Sequence, residues 1–163
     1  MHDTDTSAFQ ACVRTPFATL GISVTDKHVT GIRFLAPTER AFAPRRGTIA
    51  FLACVQIQAY LDDPKYEFEL PLKLGGTRHR LDVWEAMQRI PAGKTRTYGD
   101  LAKELRSSAR AVGGACGANP IPVVVPCHRI VAAGGSIGGF MGARDEGFEI
   151  GIKRWLLQHE NAL

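Results

Sequence analysis

Three early stretches, Phe9–Arg14, Ala18–Val24 and Val29–Phe34, are rich in β-branched and apolar residues, and Thr15-Pro16 and Asp26-Lys27 separate them. That pattern predicts a three-stranded meander with turns at the polar breaks. A polar, proline-containing stretch from Ala36 to Arg46 follows. Ile49, Leu52, Ala53, Ile57, Tyr60 and Leu61 then recur at helical spacing, and Asp62-Asp63-Pro64 ends the helix. Tyr66–Leu72 alternates as a short strand would. After Gly75-Gly76 the pattern changes to short helices. Thr77 can cap a helix burying Leu81, Trp84 and Met87, which ends near Ile90-Pro91. Thr97 can cap Tyr98–Leu105, and Ser107 or Ser108 can cap Ala109–Gly117, a helix of alanines and glycines. A last helix, Gly151–Glu160, carries Ile152, Trp155, Leu156 and His159 on one side. The expected organisation is an α/β domain over residues 1–75 and a mainly helical domain over 76–163.

The 163 residues are 45% hydrophobic and 22% charged, which fits a folded chain rather than a disordered one. No apolar run approaches the roughly 20 residues of a membrane span. The start, Met1-His2-Asp3-Thr4-Asp5, lacks the basic and apolar regions of a signal peptide, so a cytoplasmic protein is expected. The net charge of +4 is unevenly distributed. Lys/Arg and Asp/Glu cancel up to Thr77, whereas nine Lys/Arg face four Asp/Glu between Arg78 and Arg129. A basic middle suits a polyanionic partner or a merely solvated face. The two short helices joined by a polar turn, the second led by Arg110, suggest a helix-turn-helix or an αα-hairpin that simply packs. Gly113 and Gly114 each weaken a helix by about 1 kcal/mol relative to alanine, so close approach of a backbone or ligand is expected there.

Candidate chemistry concentrates in Asn119-Pro120-Ile121-Pro122-Val123-Val124-Val125-Pro126-Cys127-His128-Arg129. Prolines remove backbone donors and prevent regular structure, so a rigid buried segment should deliver Cys127 and His128 at its end. A thiolate is the nucleophile and needs a base or positive surroundings. Adjacent residues diverge, which makes a water bridge between Cys127 and His128 the expected route, with a carboxylate orienting the imidazole. The other cysteines, Cys12, Cys54 and Cys116, read as small buried hydrophobes. Cys12, His28, Cys54 and His79 have no metal-ligand spacing, and no metal or cofactor is expected. Gly134-Gly135-Ser136 and Gly138-Gly139-Phe140-Met141-Gly142 read as a pocket-lining loop rather than a phosphate-binding one.

Ile121–Val131, together with Arg110-Ala111-Val112-Gly113-Gly114-Ala115, Asn119-Pro120, Val83-Trp84 and Ile90–Gly99, resembles the O6-alkylguanine-DNA alkyltransferases. The likeness covers nearly the whole chain and is densest from Thr77 to Phe140. It implies an N-terminal α/β domain with a ribonuclease-H-like sheet and a helical C-terminal domain with a helix-turn-helix and the active site. It implies direct-reversal repair of double-stranded DNA: one irreversible transfer of the alkyl group from O6-alkylguanine, and O4-alkylthymine, to Cys127. By the same resemblance His128 is the base through water, Glu160 orients it, Asn119 holds the hinge, and Tyr98 helps flip the nucleotide. Arg110 fills the gap in the base stack from a minor-groove helix that includes Ala111, Gly113, Gly114 and Ala115, with Tyr98 and Arg129 also at the DNA. Pro126, Ile130, Phe140 and Met141 line the pocket, where the Cys127 and Ile130 carbonyls and the Met141 N–H read the base. The Met141 side chain would narrow that pocket. Arg144–Glu149 reads as extra sequence. A monomer in solution is implied, with cooperative assembly on DNA left open.

Three rival classes differ in testable ways. A non-enzymatic alkyltransferase-like lesion binder lacks the acceptor cysteine. A helix-turn-helix regulator has no need of a proline-framed Cys-His pair and shows sequence preference. A cysteine hydrolase turns over.

Overall fold

The computed structural model describes residues 8–163, so the reading of Met1–Asp5 lies outside the described residues. The chain divides into two compact units, Met1–Leu74 and Gly75–Leu163. In the first, the meander forms as an antiparallel sheet of β1 (Ala11–Arg14), β2 (Thr19–Val24) and β3 (Val29–Leu35), in that order. Gly21 pairs with Cys12 and Arg33, and a Cβ there would come within 2.8 Å of the Phe9 ring, so the glycine lets that ring lie on the sheet.

Helix α1 (Ile49–Asp62) starts where the Thr48 hydroxyl accepts from the Phe51 N–H. Its buried side is Ala50, Ala53, Gln56, Ile57 and Tyr60, while Leu52 is 38% exposed. This corrects the expected face, and the reason is Gln56. Its side chain donates to the Glu69 carbonyl at 3.1 Å and accepts from the Glu69 N–H at 2.8 Å. A buried amide is stable when both its ends are paired, as here. The same contact accounts for Tyr66–Leu72, which forms no strand. Alternate residues are half-buried, but pairing is confined to its end, where Val29 donates to Pro71 and Lys73 donates to Val29.

The second unit is built from α2 (Arg78–Gln88), β4 (Arg96–Thr97), α3 (Tyr98–Glu104), α4 (Ala109–Gly117), β5 (Ile130–Val131) and α5 (Phe148–His159). Thr77, Thr97 and Ser108 cap the first three of these helices with their hydroxyls. Thr97 and Asp100 form a reciprocal capping box. Helix α2 buries Val83, Trp84, Ala86 and Met87, with Leu81 only half-buried. The Trp84 indole donates to the Ala115 carbonyl at 2.8 Å and ties α2 to α4. Strands β4 and β5 pair in parallel, Arg96 with Ile130 and Thr97 with Val131, which sets the start of α3 beside the end of the Cys127 segment. Helix α5 begins three residues before the expected start, so Phe148 and Glu149 belong to it. Among the described residues no helix is long and apolar enough to cross a membrane.

Candidate active site

The segment before Cys127 is held by one side chain. Asn119 is buried, accepts from the Ile121 N–H at 3.0 Å and donates to the Val125 carbonyl at 2.8 Å. The loop between closes tightly, with Val125 N–H on the Ile121 carbonyl at 2.9 Å. It carries Val123 at φ 74°, a left-handed conformation that a β-branched residue adopts only when its surroundings impose it. Cys127–Arg129 then form one 3-10 turn that runs into β5.

Cys127 is 3% exposed. Burial pushes its thiol up to about 11, against the smaller opposing effects of an Asn119 hydrogen bond, the Lys153 charge and its own backbone N–H. The resting group is therefore a thiol. His128 is fully buried, and its Nε2 lies 2.8 Å from Glu160 Oε2. Burial lowers the imidazole below its ordinary value, outweighing the pull of Glu160 toward the charged form. A neutral imidazole facing a carboxylate carries its proton on Nε2, so Nδ1 presents a bare lone pair. That Nδ1 is buried and has no hydrogen-bond partner among the described residues.

Glu160 also accepts from Arg129, Nε to Oε1 at 2.8 Å and Nη2 to Oε2 at 3.1 Å. Burial raises the carboxyl, but the hydrogen bonds from His128 and Arg129 and the Arg129 charge outweigh it and hold it far below the usual carboxylate range. The third arm of Arg129 donates to the Ile90 carbonyl at 2.6 Å. Arg129, expected at the DNA, directs its guanidinium inward to Glu160 and Ile90, and its side chain is only 12% exposed. Lys153 escaped the sequence reading altogether. It is fully buried and donates to the Ile130 and Gly139 carbonyls at 2.7 and 2.8 Å, with its ammonium 5.7 Å from the Tyr98 ring centre. Burial lowers it to about 8. One signal pointed to it: Lys153 stands at helical spacing from Ile150, Leu156 and Leu157, inside the apolar stripe.

In front of Cys127 lies a groove of about 740 Å³. It brings together Tyr98, Arg110, Gly113, Gly114, Cys127, Phe140 and Met141 from the expected set, and adds Cys116. A Cβ on Gly113 or Gly114 would meet nothing within 4 Å, so no packing inside the unit requires these glycines. A Cβ on Gly139 would lie 2.7 Å from the Ala143 carbonyl, and on Gly138 3.1 Å from the Tyr98 ring, so the loop itself does require glycine at both places. Tyr98 donates to the Gly139 carbonyl at 3.2 Å. His128, Glu160 and Asn119 stand behind the groove wall, and Ala111 is exposed on α4. Three other expected site residues are not among those lining the groove. Ala115 is 2% exposed and its carbonyl is taken by Trp84, so it faces the core and not a partner. Pro126 and Ile130 are buried beneath the groove rather than lining it, and the Ile130 carbonyl already accepts from Lys153. No group of side chains among the described residues could hold a metal ion.

A buried neutral thiol that opens on a groove, next in sequence to an imidazole–carboxylate–guanidinium chain, is the set of groups that base-assisted cysteine chemistry requires. Comparison with known proteins makes the class specific. Residues 78–162 match the family described as 6-O-methylguanine DNA methyltransferase, DNA binding domain. A methylated-DNA–protein-cysteine methyltransferase of Mycolicibacterium paratuberculosis is 37% identical over 82% of this chain and 84% of its own. That of Mycobacterium bovis is 36% identical over 92% and 90%. The crystal structure of Mycobacterium tuberculosis OGT in complex with DNA superposes with a TM-score of 0.76 at 36% identity, covering 93% of this chain and 91% of that one. The chain belongs to the methylated-DNA–protein-cysteine methyltransferase family.

Proposed function

We propose that this protein repairs DNA by moving the alkyl group of O6-alkylguanine, and of O4-alkylthymine, onto Cys127, once per molecule. The observation that carries the proposal is the bare, buried Nδ1 of His128, the residue that follows the neutral Cys127 thiol opening on the groove. A water between Nδ1 and Sγ passes the thiol proton to His128, whose Nε2–Glu160 bond orients the ring and stabilises the imidazolium. The Cys127 sulfur attacks the alkyl carbon, the carbon–O6 bond breaks, and its electron pair stays on the purine. The purine takes up a proton, so the net change is the thiol hydrogen exchanged for the alkyl group. Tyr98, on the groove wall, turns its one O–H from the Gly139 carbonyl to the purine edge. Asn119 keeps the sulfur on its rigid support, and Phe140 and Met141 flank the base. A thioether is a poor leaving group, so the protein is consumed.

Duplex DNA hides the reacting oxygen, and flipping the nucleotide costs a few kcal/mol. Arg110, at the start of α4 on the groove, fills the gap in the stack. Helices α3 and α4 act as a helix-turn-helix whose second member enters the minor groove, and the unfilled space over Gly113 and Gly114 supports close approach of the DNA backbone. Minor-groove readout is degenerate, which suits repair independent of sequence. The sheet of the first unit is the ribonuclease-H-like domain, the protein works as a monomer in the cytoplasm, and residues 76–163 carry DNA binding and chemistry.

The test is incubation with duplex DNA containing O6-methylguanine, followed by intact-mass and peptide analysis. One added methyl per protein at Cys127, absent in Cys127→Ser, is expected. No mass change in folded protein, or methylation retained in Cys127→Ser, overturns the proposal. Repeated product release from one protein molecule identifies a hydrolase instead.

A further inference from the structure

The Met141 sulfur lies 3.9 Å from Cys127 Sγ, and the thiol donates toward it. The backbone here is unusual: Met141 has φ 52° and Gly142 has φ 85°. Phe140 and Ala143 flank them and exchange both backbone hydrogen bonds at 2.9 Å. Two successive positive-φ residues inside such a pair make a two-residue turn of the kind that favours Asn-Gly. Methionine has no side-chain hydrogen bond to offer that backbone, and the left-handed conformation costs it roughly 1–2 kcal/mol. What can move is the methionine side chain, which has three rotatable bonds.

Displacement at carbon requires the reacting atoms about 3–3.5 Å apart in line. The Met141 sulfur occupies the shell just beyond that distance on the groove side of Sγ. The rest of the wall combines the small residues Gly138, Gly139, Gly142 and Ala143 with the larger Tyr98, Cys116 and Phe140. The thioether placed against Sγ is that of Met141, so its bulk bears directly on the free width at Cys127. We propose that Met141 is a specificity-determining residue: a thioether gate over Cys127 that turns aside for a methyl group and excludes bulky alkyl groups such as benzyl. This rests on the reading of Cys127 as alkyl acceptor. A methyl carbon needs only a rotamer change, whereas a benzyl group needs the volume that the methionine fills.

The experiment compares the rates of thioether formation at Cys127, by intact mass, with O6-methylguanine and O6-benzylguanine in otherwise identical duplexes. Wild type, Met141→Ala, Met141→Gly and Met141→Leu are measured. Glycine suits the left-handed backbone, so one small-residue variant remains folded even if the other does not. Removal of the gate is expected to raise the benzyl-to-methyl rate ratio by about tenfold or more, the scale on which apolar pockets discriminate size. Met141→Leu, of similar bulk, stays near wild type. An unchanged ratio in the small-residue variants, or a wild type that takes benzyl faster than methyl, overturns the gate. A wild type that forms neither thioether overturns the acceptor reading itself, and a wild type methylated at Cys127 keeps the two failures apart.

Discussion

At the scale of single residues the site is a chain of charge states set by burial at His128 and by hydrogen-bonded partners at Glu160. His128 is held neutral and Glu160 anionic, and both arrangements favour losing protons on folding. The unfolded chain therefore binds more protons than the native one as the medium is acidified, and stability must fall with pH. The sign is the same for both groups. The His128 contribution is complete above 6.5, the ordinary imidazole value, and is lost below it. The Glu160 contribution is complete above 4.5 and is lost only in stronger acid. Urea midpoints measured between pH 8 and pH 5 should decline below pH 6.5, and the decline should be shallower in His128→Asn. Parallel curves for the two proteins would remove His128 as a buried neutral base. Glu160→Gln should destabilise by about 3 kcal/mol, because it leaves the largely buried Arg129 without its counter-charge; an equilibrium unfolding curve measures this. Cys127 and His128 were legible in the sequence because adjacent prolines announce a special backbone. Arg129 and Lys153 were not, because what buries a charge comes from elsewhere in the chain: the Ile90 carbonyl for one, the Ile130 and Gly139 carbonyls for the other.

Among the elements, those defined by local chemistry were readable and those defined by distant partners were not. Thr77, Thr97 and Ser108 cap their helices through bonds to residues three positions on, a signal contained in a few residues. The face of α1 and the loose Tyr66–Leu72 segment were misread because Gln56 reaches across thirteen residues to the Glu69 backbone. Helix α4 shows the clearest tension between stability and use. Gly113 and Gly114 sit mid-helix with open space where a side chain would go. Replacing Gly114 by alanine adds helix propensity and meets no obstacle, so it should stabilise the protein by about 1 kcal/mol in urea titration. The same methyl group projects into the groove. Duplex affinity and repair rate should therefore fall although the protein is more stable, with the free base affected less than the duplex. A variant both more stable and fully active on duplex DNA would show that α4 does not approach the nucleic acid here.

For the whole molecule the charge map sets the terms of encounter. The basic excess lies between Arg78 and Arg129, within the unit that carries the groove. Arg129 is internal and Arg96 is half-buried against Glu104, which leaves Arg78, Arg80, Arg89, Lys94, Lys103, Arg106 and Arg110 as the exposed cations of that stretch. Each phosphate they neutralise releases counterions and adds about −0.9 to the slope of log affinity against log salt. Affinity for an undamaged duplex should thus fall steeply between 50 and 200 mM salt, as fluorescence anisotropy would record, and a flat response would exclude this face as the DNA surface. The slope also separates two jobs for Arg110. An arginine bound to phosphate, when replaced by alanine, weakens binding and makes the slope less steep by about one. An arginine that fills a gap in the base stack weakens lesion binding with little change in slope, because no phosphate is released. The position of Arg110 on the groove that holds Cys127 favours the second outcome. Arg106, exposed in the turn before α4, should follow the first. If Arg110→Ala and Arg106→Ala both reduce the slope equally, Arg110 is one more phosphate contact and the flipped nucleotide must be held out of the stack by another group.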